Sequence, residues 1–150
     1  SIPPTQSLCL HVVCRKVKVV TKPAARRLFI GVSAPGIHPD SNGLTSVDSS
    51  SYGMLSDGDV RAAGQKIIND YTNLPASSII QADMLKQRET WDKVFRAGDE
   101  VVVVLDCTAH TVRLQTPTVQ HVIPIHQQHH QQQWVLNVNF SWGDFQVALE

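Results

Sequence analysis

Apolar positions in this chain come in short runs that alternate with polar ones, the period of half-buried strands rather than helices. In residues 8–20, Leu8, Leu10 and Val12 share one phase. Val17 and Val19 take the other, interleaved with Lys16 and Lys18. A bulged strand, or two short strands, accounts for that switch. Lys22-Pro23 ends the run, because proline cannot donate to a central ladder. Residues 28–32 (Leu-Phe-Ile-Gly-Val) form a second run. Ala34-Pro35-Gly36 closes it, and a loop rich in Ser, Asn, Asp and Gly extends to Ser51.

Residues 52–66 read as a tight meander, turning at Ser56-Asp57-Gly58-Asp59 and again at Ala63-Gly64. Residues 101–105 (Val-Val-Val-Val-Leu) predict a strand buried on both faces, and 111–115 a return strand with Val112 and Leu114 inward. A further strand is expected at 119–125, interrupted at Pro124. Residues 134–140 alternate Trp134, Leu136, Val138 and Phe140 with polar or smaller neighbours, and Phe145, Val147 and Leu149 alternate to the end. Between these lie two irregular stretches. Met84, Leu85, Arg88, Trp91 and Phe95 fit one helical face, so residues 76–96 predict a short helix or a long irregular insertion. Residues 126–133 (His-Gln-Gln-His-His-Gln-Gln-Gln) are low in complexity and read as a solvated loop too polar to pack.

Closely spaced strands with polar turns predict an all-β antiparallel sandwich, and composition agrees. The chain has 19 Val against 11 Leu and 10 Asp against 3 Glu, a bias toward pleated sheet and turns. Its 150 residues suit a single domain over 1–150, expected to be excised from a larger protein since Ser1 stands where a Met would begin. No apolar stretch is long enough to span a membrane.

The neutral net charge hides an asymmetry. The first 30 residues carry Arg15, Lys16, Lys18, Lys22, Arg26 and Arg27 with no acid, leaving a net of −6 on the remainder. Lys16, Lys18, Arg26 and Arg27 therefore form a candidate anionic-ligand surface, with a solvated strand face as the plainer reading. Few aromatics interleave with these cations, so nucleic acid is not the expected partner. Three cysteines cannot all pair. Buried free thiols in a reducing, cytoplasmic setting are expected, because Cys9 and Cys14, five apart on one strand, point to opposite faces.

At residues 51–60 (Ser-Tyr-Gly-Met-Leu-Ser-Asp-Gly-Asp-Val), then Gly64-Gln65-Lys66, the chain resembles the SPRY family, which carries an aromatic-Gly turn and a following hairpin there. The second matching block is 95–106 (Phe-Arg-Ala-Gly-Asp-Glu-Val-Val-Val-Val-Leu-Asp), similar to that family's Phe-x-x-Gly-Asp strand, with a hairpin after it at 111–114. Residues 28–32 resemble the strand that precedes the aromatic-Gly motif. Order and spacing agree over roughly a third of the chain. Departures are Val103 or its neighbour in place of a strand glycine, Leu114-Gln115-Thr116-Pro117-Thr118 in place of an aromatic-rich turn, a longer 67–91 segment, and an insertion at 126–133. The Neuralized-homology and PHR-type sandwiches of ubiquitin ligases are related and fit as well. The resemblance implies a non-catalytic, intracellular module that grips a peptide or folded protein with its loops, as the substrate-recognition part of a ubiquitin ligase or a signalling scaffold. It implies no cofactor.

No catalytic arrangement competes with this reading. Cys107 and His110 lie on one hairpin, but Cys107 ends a buried strand and reads as a core cysteine. His126, His129 and His130, with His121 nearby, have a spacing that suits zinc or nickel, yet a Gln-rich loop offers no fixed geometry, and no metal is expected. The partner-binding residues expected from loop composition are Asp40, Asn42, Tyr52, Tyr71, Trp91 and Trp142. For Trp91 and Trp142, inward packing and outward anchoring both remain open.

Overall fold

The computed structural model describes residues 12–22, 27–37, 45–68, 90–140 and 146–149. Its strands are β1 (Val12–Thr21), β2 (Leu28–Ser33), β3 (Tyr52–Leu55), β4 (Val60–Ala62), β5 (Gln65–Ile68), β6 (Glu100–Asp106), β7 (Thr111–Gln115), β8 (Gln120–Pro124), β9 (Val135–Phe140) and β10 (Gln146–Leu149). They build two sheets, β10-β1-β6-β7-β8 and β5-β4-β3-β2-β9. Every pairing is antiparallel.

Side chains two apart share a face, so each strand contributes alternate residues to the interior. Val17, Val19, Val101, Val103, Leu105, Val112, Leu114 and Ile123 from the first sheet meet Leu28, Ile30, Val32, Tyr52, Met54 and Val60 from the second in one buried cluster. The expected all-β antiparallel sandwich is the observed fold.

β2 and β3 cross at a glycine pair, Gly31 opposite Gly53. A Cβ on Gly31 would stand 2.2 Å from the Tyr52 carbonyl oxygen, and one on Gly53 would stand 2.5 Å from that of Ile30. The Phe29 ring occupies the space that those side chains leave, 2.9 and 2.7 Å from the two positions. The aromatic-Gly motif at Tyr52-Gly53 thus has a packing reason: tyrosine points into the core, and glycine lets the two backbones close.

Several expectations are corrected. The phase switch in β1 is absent from its described part: Val17 and Val19 are buried, and Val12 is 51% exposed. β1 pairs with β6 without a shift from Val12 to Lys18, and the irregularity lies against β10, between Val19 and Thr21. Leu8 and Leu10 lie outside the described residues. Most of the short helix expected at 76–96 also lies outside them. From residue 90 onward there is a 3-10 turn, Thr90–Asp92, and the described residues contain no α-helix. Backbone bonds set this conformation, since Val94 N–H donates to Ser56 O and its carbonyl accepts from the Thr118 hydroxyl.

The cysteines differ too. Cys14 is exposed and free, whereas Cys107 is buried and disulfide-bonded, with its partner outside the described residues. The expectation of buried free thiols fails because linear spacing hides pairing: β1 runs antiparallel along β6 and sets Val12 opposite Asp106, next to Cys107. Finally, residues 126–133 are not simply solvated. They contain a 3-10 turn, Gln127–His129, held against the sandwich by the contacts described next.

Candidate functional site: the loop end around Tyr52

One end of the sandwich gathers three loops: 45–51 before β3, the 107–110 turn between β6 and β7, and 125–134 between β8 and β9. Tyr52, fully buried, sits beneath them at the start of β3. The His126 amide donates to Tyr52 Oη at 3.1 Å, and Tyr52 Oη lies 2.6 Å from His129 Nδ1. Three rings meet the tyrosine edge-on: His126 at 5.9 Å, His129 at 5.6 Å and Trp134 at 5.7 Å between centroids. Beside them, His110 and His130 stack face to face at 3.6 Å with 4° between planes. His130 Nε2 donates to Ile125 O, and Ile125 N–H donates to His110 O. Gln132 Nε2 donates to Ser50 O, which joins this loop to 45–51.

The electrostatics follow from burial. Burial pushes the Tyr52 phenol up, partly offset by the His126 amide bond. It therefore stays a neutral donor at physiological pH. Burial and the nearby His126 push His129 down, while Asp48 pulls it up. Asp48 is held in place by the Ser50 amide and hydroxyl, at 2.9 and 2.6 Å.

The opposite end is built from ions. Lys22, its side chain wholly buried, pairs with Asp92. Arg27 reaches Asp57 and Asp59, and Arg61 and Lys66 also reach Asp59.

The structure places the expected site residues in separate regions. Tyr52 lies under the first end, buried. Trp91 is 41% exposed beside Asp92 at the second end, so the two are not brought together. Lys16 and Lys18 are exposed on the outer face of the first sheet, with Lys18 opposite Glu100. Arg27 sits on the other sheet, engaged with carboxylates. Asp40, Asn42, Tyr71, Trp142 and Arg26 lie outside the described residues. Sequence reasoning weighed His126, His129 and His130 only as metal ligands and joined them to neither Tyr52, His110 nor Trp134. The usable signal was local: imidazoles at i, i+3 and i+4, with a tryptophan four residues after the last.

The strand order and the two closed ends can be set beside known structures. Over 93% of this chain and 74% of the other, the SPRY domain of human HERC1 superposes with a TM-score of 0.60 at 14% sequence identity. The chain has a SPRY-like fold. CG-16, a homodimeric agglutinin from chicken liver, covers 94% of this chain and 89% of its own at 19% identity, with a TM-score of 0.39 that carries no argument. No family model and no curated protein sequence matches the chain. Among the described residues, no group of three or more His, Cys, Asp and Glu is placed to hold a metal ion, and no helix is long and apolar enough to cross a membrane.

Proposed function

We propose that this SPRY-like domain is a non-catalytic protein-binding module that takes a peptide or folded partner at the loop end around Tyr52. The observation that carries the reading is the SPRY-like sandwich itself, whose rigid sheets present three loops at one end. Their rim exposes Val47, His126, Gln127 and Gln128 around a buried aromatic base, a mixture of apolar and hydrogen-bonding groups suited to a protein surface. Asp40, Asn42, Tyr71 and Trp142 join this proposal on loop composition alone. Trp91 marks a second, separate patch. The finer role, substrate recognition in a ubiquitin ligase or a signalling scaffold, rests on the family resemblance.

A quantitative pull-down tests the reading. The double variant Val47→Glu/Gln128→Glu should lose the captured partner, while Trp91→Ala retains it, with unchanged melting temperature in both. Equal capture by wild type and the double variant sinks the assignment of this end. A chain that binds through Lys16 and Lys18 instead would show salt-dependent retention on heparin, abolished by Lys16→Glu/Lys18→Glu.

The cytoplasmic placement belongs to the same reading. The Cys107 disulfide weighs against it, since reducing compartments keep such bonds open. Counting free thiols before and after reductant, in protein taken directly from its source, decides between them.

A further inference from the structure

We propose that residues 126–132 form an acid-released latch over the Tyr52 end, with the Tyr52–His129 contact as its sensor. That the latch gates a partner rests on the function proposed above; the latch itself is a property of this chain alone.

The His126 amide uses one lone pair of Tyr52 Oη, and the neutral phenol has one proton to give. With His129 Nδ1, 2.6 Å away, assigned as the acceptor for it, His129 is neutral and carries its own proton on Nε2. Protonating His129 puts a second donor on the same short contact. The tyrosine proton must then turn away from its partner under the loops, and a buried hydroxyl without an acceptor is unfavourable.

A second contact holds the same loop. His110 and His130 stack at 3.6 Å, and His130 donates from Nε2 to Ile125 O. Among the described residues, the charged or titratable groups acting on His129 are Asp48 and His126. Asp48 of the 45–51 loop favours the protonated form of His129, but both its bonds at Oδ2 go to Ser50. His126 opposes that protonation, from 6.3 Å between ring centroids. In the turn that carries His110, Asp106 Oδ1 accepts from the Thr108 and Ala109 amides.

The sign follows from linkage. The folded His129 value lies below the ordinary one, so its contribution is fully present above the unfolded value, roughly 6.5, and is lost as pH falls through the folded value. His129 lies in the 126–132 loop and not in a sheet strand, so release is local.

Nuclear magnetic resonance on the whole chain tests this, through histidine ring nitrogens and amide exchange from pH 7.5 to 5.5. The expected result is that His129 carries its neutral-state proton on Nε2, titrates below the ordinary histidine value, and that exchange at residues 127–132 rises as pH falls from that ordinary value toward its own. Corrected for intrinsic rates, the rise should approach about tenfold per pH unit in that window, with β6 amides unchanged. His129→Gln keeps an acceptor for Tyr52 and removes the titration, so its loop exchange should be flat. His129 titrating at the ordinary value, flat exchange in wild type between that value and its own, or a pH response that persists in His129→Gln overturns the proposal. Should that variant fail to fold, the wild-type titration decides alone. Partner binding is measured separately: a latch that opens without changing capture removes the gating role and leaves the latch.

Discussion

The two ends of this sandwich solve one problem with different chemistry. At each end the strands stop and the core would otherwise meet water. At the Tyr52 end the closure is neutral: a phenol, imidazoles and an indole joined by hydrogen bonds and edge contacts. At the other end it is ionic: Lys22 with Asp92, and Arg27, Arg61 and Lys66 around Asp57 and Asp59. Neutral closure responds to acid in the range where histidine titrates, and it is nearly indifferent to salt. The ionic end should behave the other way, except where burial shields its charges from screening. The end with the titratable closure is also the end proposed to take a partner.

The largest expected effect tests the ionic end. Lys22→Ala leaves Asp92 buried without its cation and should cost about 3–5 kcal/mol, read from the urea midpoint. Lys22→Met/Asp92→Leu should recover most of that loss. No recovery would mean that the pair holds Thr90–Asp92 by geometry that apolar packing cannot replace.

Next is the glycine crossing beneath the neutral end. Gly53→Ala pushes a methyl against the Ile30 carbonyl and the Phe29 ring, and should cost on the order of 3 kcal/mol, with altered near-ultraviolet signals from Tyr52. A near-wild-type melting curve would show that the two strands can part there cheaply.

Tyr52→Phe removes one hydroxyl and two of its hydrogen-bonding relations. It should cost about 1–2 kcal/mol at pH 7.5 and less once pH has fallen through the His129 titration. A loss independent of pH would separate the tyrosine bond from the histidine titration. The smallest effect belongs to Arg27→Gln. Its partly exposed contacts with Asp57 and Asp59 should be worth under about 1 kcal/mol and fade in high salt, as salt titration of the melting temperature would show.

How much was legible beforehand varies by element. β6 and β7 read clearly because alternation and β-branched runs are local signals, and Val103, Leu105, Val112 and Leu114 do point inward. The Tyr52-Gly53 block and the Gly98-Asp99 turn carried the family resemblance for the same reason. Residues 126–133 were misjudged because hydrophobicity alone was asked whether they pack. His129 and His130 are held by hydrogen bonds and stacking to Tyr52, Ile125 and His110, partners whose approach requires the folded sandwich. The Cys107 disulfide was missed for a related reason, since a bridge between distant positions leaves no local signal in the chain.

Short-range patterning by itself determined the strands, their inward faces and the sharp turns between them, because period-two burial and turn chemistry act over a few residues. Tertiary structure alone decided which strand ends close together, and so set Trp91 apart from Tyr52, engaged Arg27 with carboxylates and seated a glutamine- and histidine-rich loop on a tyrosine. Those outcomes depend on the order in which strands pair within two sheets, and a hydrogen bond between distant residues has no energy to report until that order exists.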